Sequence, residues 1–308
     1  MKNYVNLKLL GKGIYIYSDP AAENSILSLV DDLILSKNIP KKDFLVYTNK
    51  KGKIDSQYKD IVKVEDFKES RISKLILDFK PEYFFLGTSL NDYEHNWRKI
   101  GIKYNIKVIS YIDHWTNYIE RFSFGNEIIF GDYICVINDV AKSEAAKAGI
   151  PEKIINVIEN PYYKKVKKFK PKVSKEYFYN SLGLDIRKKV ILFISDDIKR
   201  SFPSDDIGNC VLGFDEYTVL SDIIIGLKKI DIDLRNFQLV LKLHPKSDVN
   251  KFNHLLSKMP QNLNVIAVKD CDSLTINYFS DFVVGMFSNM IIESFLMNKK
   301  LLRVQIGQ

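Results

Sequence analysis

Short apolar runs alternate with longer amphipathic stretches along the first half of the chain. The apolar runs have the length and composition of buried strands, and the stretches between them have helical spacing. The predicted strands are 14–17, 44–47, 83–86, 107–111, 133–137 and 154–158. The predicted helices are 23–35, 67–78, 93–104 and 140–148, the last with Asn138 or Asp139 as its cap and Gly149 as its end. This alternation is typical of a doubly wound parallel sheet.

The same alternation restarts after a lysine-rich segment. Its predicted strands are 190–194, 238–243, 264–268, 282–284 and 301–304, and its predicted helices are 216–229 and 290–297. A chain of 308 residues exceeds the usual size of one domain. We therefore predict an α/β protein with two Rossmann-like domains, 1–162 and 177–308, that face each other across a cleft and are joined by a Lys/Pro-rich linker at 163–176. No closing helix follows the last strand, so we expect a second domain that is truncated at its carboxyl end.

Charge and composition narrow the classes of partner. The net charge is +8, and the linker region concentrates Lys164, Lys165, Lys167, Lys168, Lys170, Lys172 and Lys175. Without aromatic stacking motifs, this cluster favours peripheral contact with the anionic inner face of the plasma membrane, or an anionic polymer, over nucleic acid. No apolar run reaches the roughly 20 residues of a membrane span, and the amino terminus lacks the apolar core of a signal peptide. We expect a cytoplasmic protein.

Metal and disulfide chemistry have little support in the sequence. Three scattered cysteines, Cys135, Cys210 and Cys271, fit neither a disulfide framework nor a zinc site. His95 and His254 lie on predicted helical, polar stretches without metal-ligand spacing, so we predict that both are surface residues. We expect no metal and no cofactor.

Two strand ends in the second half point to a phosphate-binding crevice. The run 237–243 stops at His244-Pro245, and a histidine at the carboxyl end of a parallel strand lies where open α/β sheets bind ligands. The run 281–287 leads through Ser288-Asn289 into a helix whose amino terminus and Ser288 hydroxyl could hold a phosphate. The alternatives are a histidine that only caps its strand and a serine that only caps its helix.

A third loop in this half follows the strand at 190–194. Ser195-Asp196-Asp197 would face the same crevice by the same carboxyl-end rule, or would form a polar turn.

A loop in the first half offers a general base. Asp113, His114, Trp115 and Tyr118 follow a predicted core strand, and aromatic rings stack on sugars while a carboxylate or imidazole takes a proton. We predict Asp113 as the base, with His114 second, and Trp115, Tyr118 and Arg121 as acceptor-binding residues. The alternative is a loop packed by Trp115 and Tyr118 in which Asp113 caps a following helix.

The second half resembles the nucleotide-binding domain of GT-B glycosyltransferases. More narrowly, Lys242-Leu-His244-Pro245 followed by Gly285-Met-Phe-Ser288-Asn289 resembles the His-Pro and Ser motifs of bacterial sialyltransferases and polysialyltransferases, which use CMP-activated sugars. The resemblance covers roughly residues 130–308. It implies a donor site made of Ser195, Lys242, His244, Pro245, Ser288, Asn289 and Glu293, the last as a partner of the ribose hydroxyls or, otherwise, a solvated charge on the helix face. Teichoic-acid polymerases share a related pairing but have a second serine where this chain has Asn289.

The sequence thus favours an inverting, metal-independent glycosyltransferase. It would move a sugar, such as sialic acid from a CMP-activated donor, onto a surface polysaccharide, glycolipid or other glycoconjugate. The alternatives are a CDP-glycerol-type polyol-phosphate transferase and a non-catalytic nucleotide-sugar-binding scaffold. A UDP-sugar 2-epimerase shares the two-domain form but needs acidic catalytic pairs, which no motif of the sequence places.

Overall fold

The computed structural model describes residues 9, 11–37, 39–51, 54, 56–202, 210–248 and 250–304. The chain divides into two compact units, Met1–Lys165 and Val166–Gln308. Each unit is a parallel sheet covered by helices, so the prediction of an α/β protein with two Rossmann-like domains is confirmed. The three cysteines are free thiols.

The first unit is built on a seven-stranded parallel sheet. Its strands are β1 (Gly13–Tyr17), β2 (Phe44–Thr48), β3 (Val62–Val64), β4 (Tyr83–Leu86), β5 (Lys107–Ile112), β8 (Tyr133–Val136) and β9 (Ile155–Val157), and a separate hairpin consists of β6 (Ser123–Phe124) and β7 (Glu127–Ile128). The order across the sheet is β3-β2-β1-β4-β5-β8-β9. The bounds of β4 match the prediction, β9 is one residue shorter at each end, and the other predicted strands differ by one residue at one end, whereas β3 and the hairpin were not predicted.

Helices cover both faces of this sheet. They are α1 (Pro20–Lys37), α2 (Glu69–Phe79), α3 (Asp92–Lys103), α4 (Asp139–Lys147) and α5 (Pro161–Lys167). Every residue of β1 and β4 is buried, which is why these strands are continuous apolar runs rather than alternating ones. On one face Trp97 of α3 is fully buried, with its ring centroid 5.4 Å from that of Phe84. Asn138 caps α4 by accepting a hydrogen bond from Ala141 N at 2.8 Å.

The prediction that His95 lies at the surface was wrong. His95 is only 2% exposed, and its ring centroid lies 5.6 Å from that of Phe124 in the β6–β7 hairpin. The sequence pattern did not predict this hairpin, which covers the polar side of α3. His254, in contrast, is exposed as predicted.

The second unit is built on a five-stranded parallel sheet of order β12-β11-β10-β13-β14. Its elements are α6 (Lys175–Leu182), β10 (Lys189–Ile194), α7 (Ile198–Ser201), α8 (Glu216–Lys229), β11 (Phe237–Lys242), α9 (Asn253–Leu256), β12 (Asn264–Val268), α10 (Ser273–Phe279), β13 (Phe282–Gly285), α11 (Asn289–Leu296) and β14 (Lys300–Arg303). The bounds of α8 and β12 match the prediction, whereas α6, α7, α9 and α10 were not predicted.

The lysine-rich segment 163–176 contains the end of α5 and the start of α6. Two of its lysines pair with carboxylates of α1, Lys164 with Asp32 at 2.8 Å and Lys165 with Asp31 at 3.5 Å. Lys168, Lys170 and Lys172 are exposed. In the part of the chain that the structure describes, no helix combines the length and apolar character needed to cross a bilayer.

Strand order reverses once in each sheet. The chain moves outward from β1 through β2 to β3 and then returns to place β4 on the other side of β1, and β10 and β13 are related in the same way. At such a reversal the loops after the two strands diverge in opposite directions and leave a crevice at the carboxyl ends. The reversal points of the two sheets are therefore the places to look for ligand-binding side chains.

Two helical glycines provide a test of the packing. A Cβ at Gly101 in α3 would lie 2.6 Å from Val108 Cγ2 and 2.9 Å from Phe84 Cδ2, whereas a Cβ at Gly226 in α8 would meet nothing within 4 Å. We expect Gly101→Ala to lower the free energy of unfolding by about 1–3 kcal/mol through overpacking. Gly226→Ala should raise it by about 0.4–1 kcal/mol, because alanine stiffens the unfolded chain and favours the helix. Urea denaturation measures both, and equal effects at the two positions would contradict the packing of α3 on the sheet.

Candidate functional site

Three loops of the second unit meet at the reversal point between β10 and β13. They are 195–197 after β10, 243–245 after β11 and 286–288 after β13. Asp196 Oδ2 accepts a hydrogen bond from Phe287 N at 2.8 Å, and Asp197 Oδ2 lies 3.9 Å from His244 Nδ1. The β10 loop therefore holds the β13 loop through Asp196, while Asp197 lies beside His244 and pairs with Arg200 at 2.6 Å.

His244 is a neutral hydrogen-bond donor in this arrangement. Its Nδ1 accepts a hydrogen bond from Lys246 N at 3.2 Å, so in the neutral ring the proton is on Nε2. Burial lowers the pKa of His244, and the charge of Asp197 only partly opposes that effect. The side chain is 36% exposed, which leaves Nε2–H available to a ligand. The bond from Lys246 also shows that His244 stabilises the turn after β11, so the predicted strand-capping alternative describes part of what this side chain does.

Ser288 and Asn289 stand at the amino terminus of α11. Ser288 is the N-cap, with its Oγ accepting from Met290 N at 3.3 Å, and α11 begins at Asn289. Its hydroxyl hydrogen and the positive end of the helix dipole are the groups that an anion would meet. Asp196 lies beside this end, and burial raises the pKa of its carboxyl group, with the backbone of Phe287 and Ser288 acting in the opposite direction.

Glu293 is not a solvated charge, because it is only 6% exposed inside α11. Two other predicted donor-site residues make their bonds to the main chain. Ser195 is 3% exposed and its Oγ donates to Asp196 O at 3.0 Å, while Lys242 is 6% exposed and its Nζ donates to Lys269 O. Pro245 follows His244 at the head of the turn that Ser247 N closes on His244 O at 2.9 Å.

The buried ammonium group of Lys251 contacts the chain after β10 and after β11. Lys251 Nζ lies 2.6 Å from Glu216 Oε1 and 3.6 Å from Asp197 Oδ1, and it donates to Asp196 O at 3.0 Å and Ser247 Oγ at 3.2 Å. The second oxygen of Glu216 accepts from Ile198 N and Lys199 N at the start of α7. The side chains of Lys251 and Glu216 are 5% and 1% exposed. One ammonium group thus ties together the loops after β10 and β11 and the start of α8.

Carboxylates from three elements converge in the first unit. Asp19 follows β1, Glu94 lies in the first turn of α3, and Asp113 follows β5. Two serines connect the first two: Ser18 Oγ lies 2.7 Å from Glu94 Oε2, and Ser89 Oγ lies 2.6 Å from Asp19 Oδ2. β1 and β4 are the strands of the reversal point and β5 is the next strand, so this acidic cluster occupies the position at which the first sheet would bind a ligand.

Asp113 has the properties of a general base. Burial raises its pKa to about 6, the charge of Asp19 adds to the increase, and Arg121 opposes it from 4.0 Å. A carboxyl group with this pKa is ionised at neutral pH yet more basic than an ordinary aspartate. Among the described residues no cluster of His, Cys, Asp and Glu could hold a metal ion, this acidic cluster included.

Arg121 positions the loop around Asp113. Its Nη1 donates to Thr88 O at 2.8 Å and its Nε to Thr116 O at 2.9 Å, so two donors of the guanidinium group are already bound. Its own carbonyl accepts from the buried Arg98 Nη2 at 3.0 Å, and the Arg98 guanidinium lies over the ring of Phe122. These contacts fix the loop after β5 to α3.

The predicted aromatic residues divide between the site and the core. His114 is half-buried, which lowers its pKa, and its Nδ1 lies 3.2 Å from Thr116 Oγ1. Trp115 is half-buried beside it, whereas Tyr118 is 7% exposed and packs in the core. The alternative interpretation was right about the packing, because Trp115 also packs against this core, but Asp113 caps no helix, since the next helical turn begins at Glu120.

Sequence reasoning missed Asp19, Ser89 and Glu94 in the first unit, and Lys251 and Glu216 in the second. A signal existed for the first two, because Ser18-Asp19 and Thr88-Ser89 follow predicted strands and therefore lie at the carboxyl edge of the sheet. Glu94, Lys251 and Glu216 carried no comparable signal.

Comparison with known proteins shows the fold. No protein-family model matches the chain, and no curated protein matches it. UDP-GlcNAc 2-epimerase of Neisseria meningitidis, solved with UDP-GlcNAc, is 12% identical with a TM-score of 0.62 and covers 96% of this chain and 83% of its own. A glycosyltransferase of Rickettsia africae is 13% identical, also with a TM-score of 0.62, over 97% of this chain and 80% of its own. HepE of Anabaena, solved with UDP-glucose, is 12% identical with a TM-score of 0.58, and the match covers 94% of this chain and 79% of HepE. The two Rossmann-like units therefore have the GT-B fold.

Lys251→Met tests whether the buried contacts of Lys251 with Glu216 and Asp197 stabilise the second unit. Removing the cation leaves the Glu216 and Asp197 carboxylates buried without it, so we expect the free energy of unfolding to fall by about 3–5 kcal/mol. Lys258→Met, at an exposed position in the same unit, is the control and should change it by less than about 0.5 kcal/mol. Urea denaturation of the full chain measures both. A change at Lys251 as small as that at Lys258 would show that the buried ion pair does not stabilise this unit.

Asp113 should titrate with a midpoint near pH 6, which ¹³C NMR of its carboxyl carbon measures directly. Arg121→Gln should move that midpoint upward, because the positive charge of Arg121 favours the ionised form. Arg187→Gln, which removes an exposed arginine of the second unit, should leave it unchanged. A downward shift in the Arg121 variant would contradict the assigned geometry.

Proposed function

We propose that this chain is a nucleotide-sugar enzyme of the GT-B type, in which the second unit binds the nucleotide and the first unit supplies the base. The observation that carries the proposal is the three-loop arrangement between β10 and β13. Asp196 bonds to the loop that leads into α11, and Asp197 lies beside His244. β11 and β13 are two strand spacings apart, about 10 Å, which suits a diphosphate between them.

The donor we propose is a UDP-sugar. The support is that structural relatives of this fold were solved with UDP-GlcNAc and UDP-glucose. The finer expectation of a CMP-activated sialic acid has the short His-Pro and Ser motifs as its only support. Both donors present the same chemistry to His244 and Ser288, and they differ in the base and in the number of phosphates.

The proposed chemistry is glycosyl transfer. As the bond from the sugar to the nucleotide phosphate breaks, negative charge grows on the phosphate oxygens, and Nε2–H of His244, the hydroxyl of Ser288 and the α11 dipole stabilise it. Asp113 takes the proton from the attacking acceptor hydroxyl, with His114 and Trp115 beside it. Glu293 accepts from the ribose hydroxyls. Since only the ionised carboxylate is a base, the rate should rise as pH passes through about 6.

A second candidate is epimerisation at C2 of the sugar. The observation that favours it is the acidic cluster of Asp19, Glu94 and Asp113, because this reaction needs carboxyl groups that remove and return protons. Transfer leaves the C2 hydrogen in place, whereas epimerisation breaks that bond. Incubation with UDP-GlcNAc and a glycan acceptor in D₂O therefore separates the two: deuterium at C2 supports epimerisation, whereas its absence, with the sugar bonded to the acceptor and free UDP released, supports transfer.

Calorimetric titration with UDP, CMP, GDP and ADP tests the nucleotide site. We expect UDP to bind preferentially, and His244→Ala to weaken it by tenfold or more, since a hydrogen bond to a charged group contributes about 1.5–3 kcal/mol. Ser288→Ala should weaken it less. His254→Ala, which removes an exposed histidine of the same unit, is the matched control and should bind as the wild type does.

Other outcomes of this titration point elsewhere. A preference for CMP that His244→Ala abolishes would support a CMP-sugar transferase or a polyol-phosphate transferase. Binding without turnover of any donor would support a non-catalytic scaffold. Equal binding by wild type and His244→Ala would overturn the assignment of the three-loop site.

A further inference from the structure

Four side chains of the acidic cluster make more close oxygen contacts than their hydroxyl hydrogens can serve. Ser18 Oγ lies 2.7 Å from Glu94 Oε2 and 2.8 Å from Ser89 Oγ. Ser89 Oγ lies 2.8 Å from Glu94 Oε1 and 2.6 Å from Asp19 Oδ2. Ser18 Oγ also lies 2.8 Å from Glu94 Oε1, so five oxygen pairs are within hydrogen-bond distance, and the two serines supply two hydrogens. A further proton on a carboxyl group would serve a third contact.

The surroundings place that proton on Glu94 rather than on Asp19. Asp19 Oδ1 accepts from Ala21 N and Ala22 N, both at 2.8 Å, at the amino terminus of α1, where a negative charge is stabilised. Glu94 is fully buried, and burial raises the pKa of its carboxyl group. Asn91 Nδ2 donates to Ser18 Oγ at 2.8 Å, which leaves the Ser18 hydrogen free to point to Glu94 or Ser89.

We propose that Glu94 is a carboxylic acid in the resting protein and that Ser18, Ser89, Glu94 and Asp19 together store one proton beside Asp113. This inference rests on the proposed function in so far as Asp113 is the base. The proton passes from Glu94 Oε1 to Ser89 Oγ while the hydrogen of Ser89 passes to Asp19 Oδ2. The net result is one proton moved from Glu94 to Asp19, with the serine hydroxyl restored.

The position of the stored proton controls Asp113. The charge of Asp19 raises the pKa of Asp113, and Glu94 has a smaller effect in the same direction. With the proton on Glu94, Asp19 is charged and Asp113 is the stronger base. With the proton on Asp19, Asp113 loses that repulsion and releases its own proton more readily. In a catalytic cycle, the first state would help Asp113 to take a proton and the second would help it to give that proton up.

Other charged or titratable groups also interact with Glu94 and Asp113. Tyr93 and Arg98 on α3 interact with Glu94, and Arg121 faces Asp113. The main chain comes close at Gly87, where a Cβ would lie 2.6 Å from Ala22 Cβ and 3.4 Å from Glu94 Oε1. A larger residue at Gly87 would therefore separate the groups that exchange the proton.

The test is ¹³C NMR of the carboxyl carbons of the full chain across pH, without nucleotide, in wild type, Glu94→Gln and Ser89→Ala. We expect the Glu94 signal to titrate above that of an exposed glutamate such as Glu176. We expect the Asp113 signal to respond in two steps, its own and that of Glu94. Glu94→Gln should leave one step, because the amide still donates a hydrogen bond but cannot release a proton. Ser89→Ala should keep the Glu94 titration and reduce the response of Asp113 to it to the smaller, direct effect of the Glu94 charge.

Stability against pH gives a second measurement. A folded-state pKa raised above the unfolded value means that the folded protein loses stability as pH rises from the unfolded pKa to the folded one. Glu94→Gln should therefore lose less stability than wild type over that interval, and Glu176→Gln should parallel wild type. A Glu94 signal that titrates with Glu176, or identical pH profiles for wild type and Glu94→Gln, would overturn the proton store. Neither measurement uses turnover, so failure of the proposed function would appear separately, as loss of nucleotide binding or of activity.

Discussion

Both candidate sites depend on the reversal of strand order in their sheets. A parallel strand delivers the residue after it to the carboxyl edge, and the reversal at β1/β4 and at β10/β13 keeps helices from covering that edge. Everything chemically notable in each unit lies there: Ser18-Asp19 and Ser89 in the first, and Ser195-Asp196-Asp197 and Ser288 in the second. The central strands are buried, so these edges are where polar side chains can collect without disrupting the core.

The two sites use charge in opposite ways. In the second unit the buried carboxylates of Glu216 and Asp197 surround one cation, Lys251, so the charges offset one another and the loops are fixed. In the first unit the carboxyl groups of Asp19, Glu94 and Asp113 lie together, with Arg121 facing Asp113 and Arg98 interacting with Glu94. Paired charges suit a binding surface, whereas like charges that raise one another's pKa suit proton transfer.

The features that could be predicted from the sequence are those formed by residues close together in the chain. The strands were predicted because parallel strands buried on both faces are continuous apolar runs, and β3 was missed because only one of its three residues is buried. His244, Ser288 and Asp113 were predicted because each lies within three residues of the end of its strand. Glu94 meets Ser18 across 76 positions of sequence, and Lys251 meets Asp196 across 55. Such pairs are fixed by packing rather than by local pattern, and His95 was misassigned for the same reason, since the covering hairpin is remote from it in the chain.

The β10 loop also bears on how this protein can change over evolution. Asp196 and Asp197 are adjacent, yet one holds the loop after β13 and the other faces the loop after β11. A substitution at Ser195, whose hydroxyl bonds only within its own turn, would leave that division intact. Gaining or losing one residue before Asp196 would instead exchange the directions of the two aspartates and release both neighbours at once. Substitutions at Ser195 should therefore be tolerated more readily than changes in the length of the loop after β10.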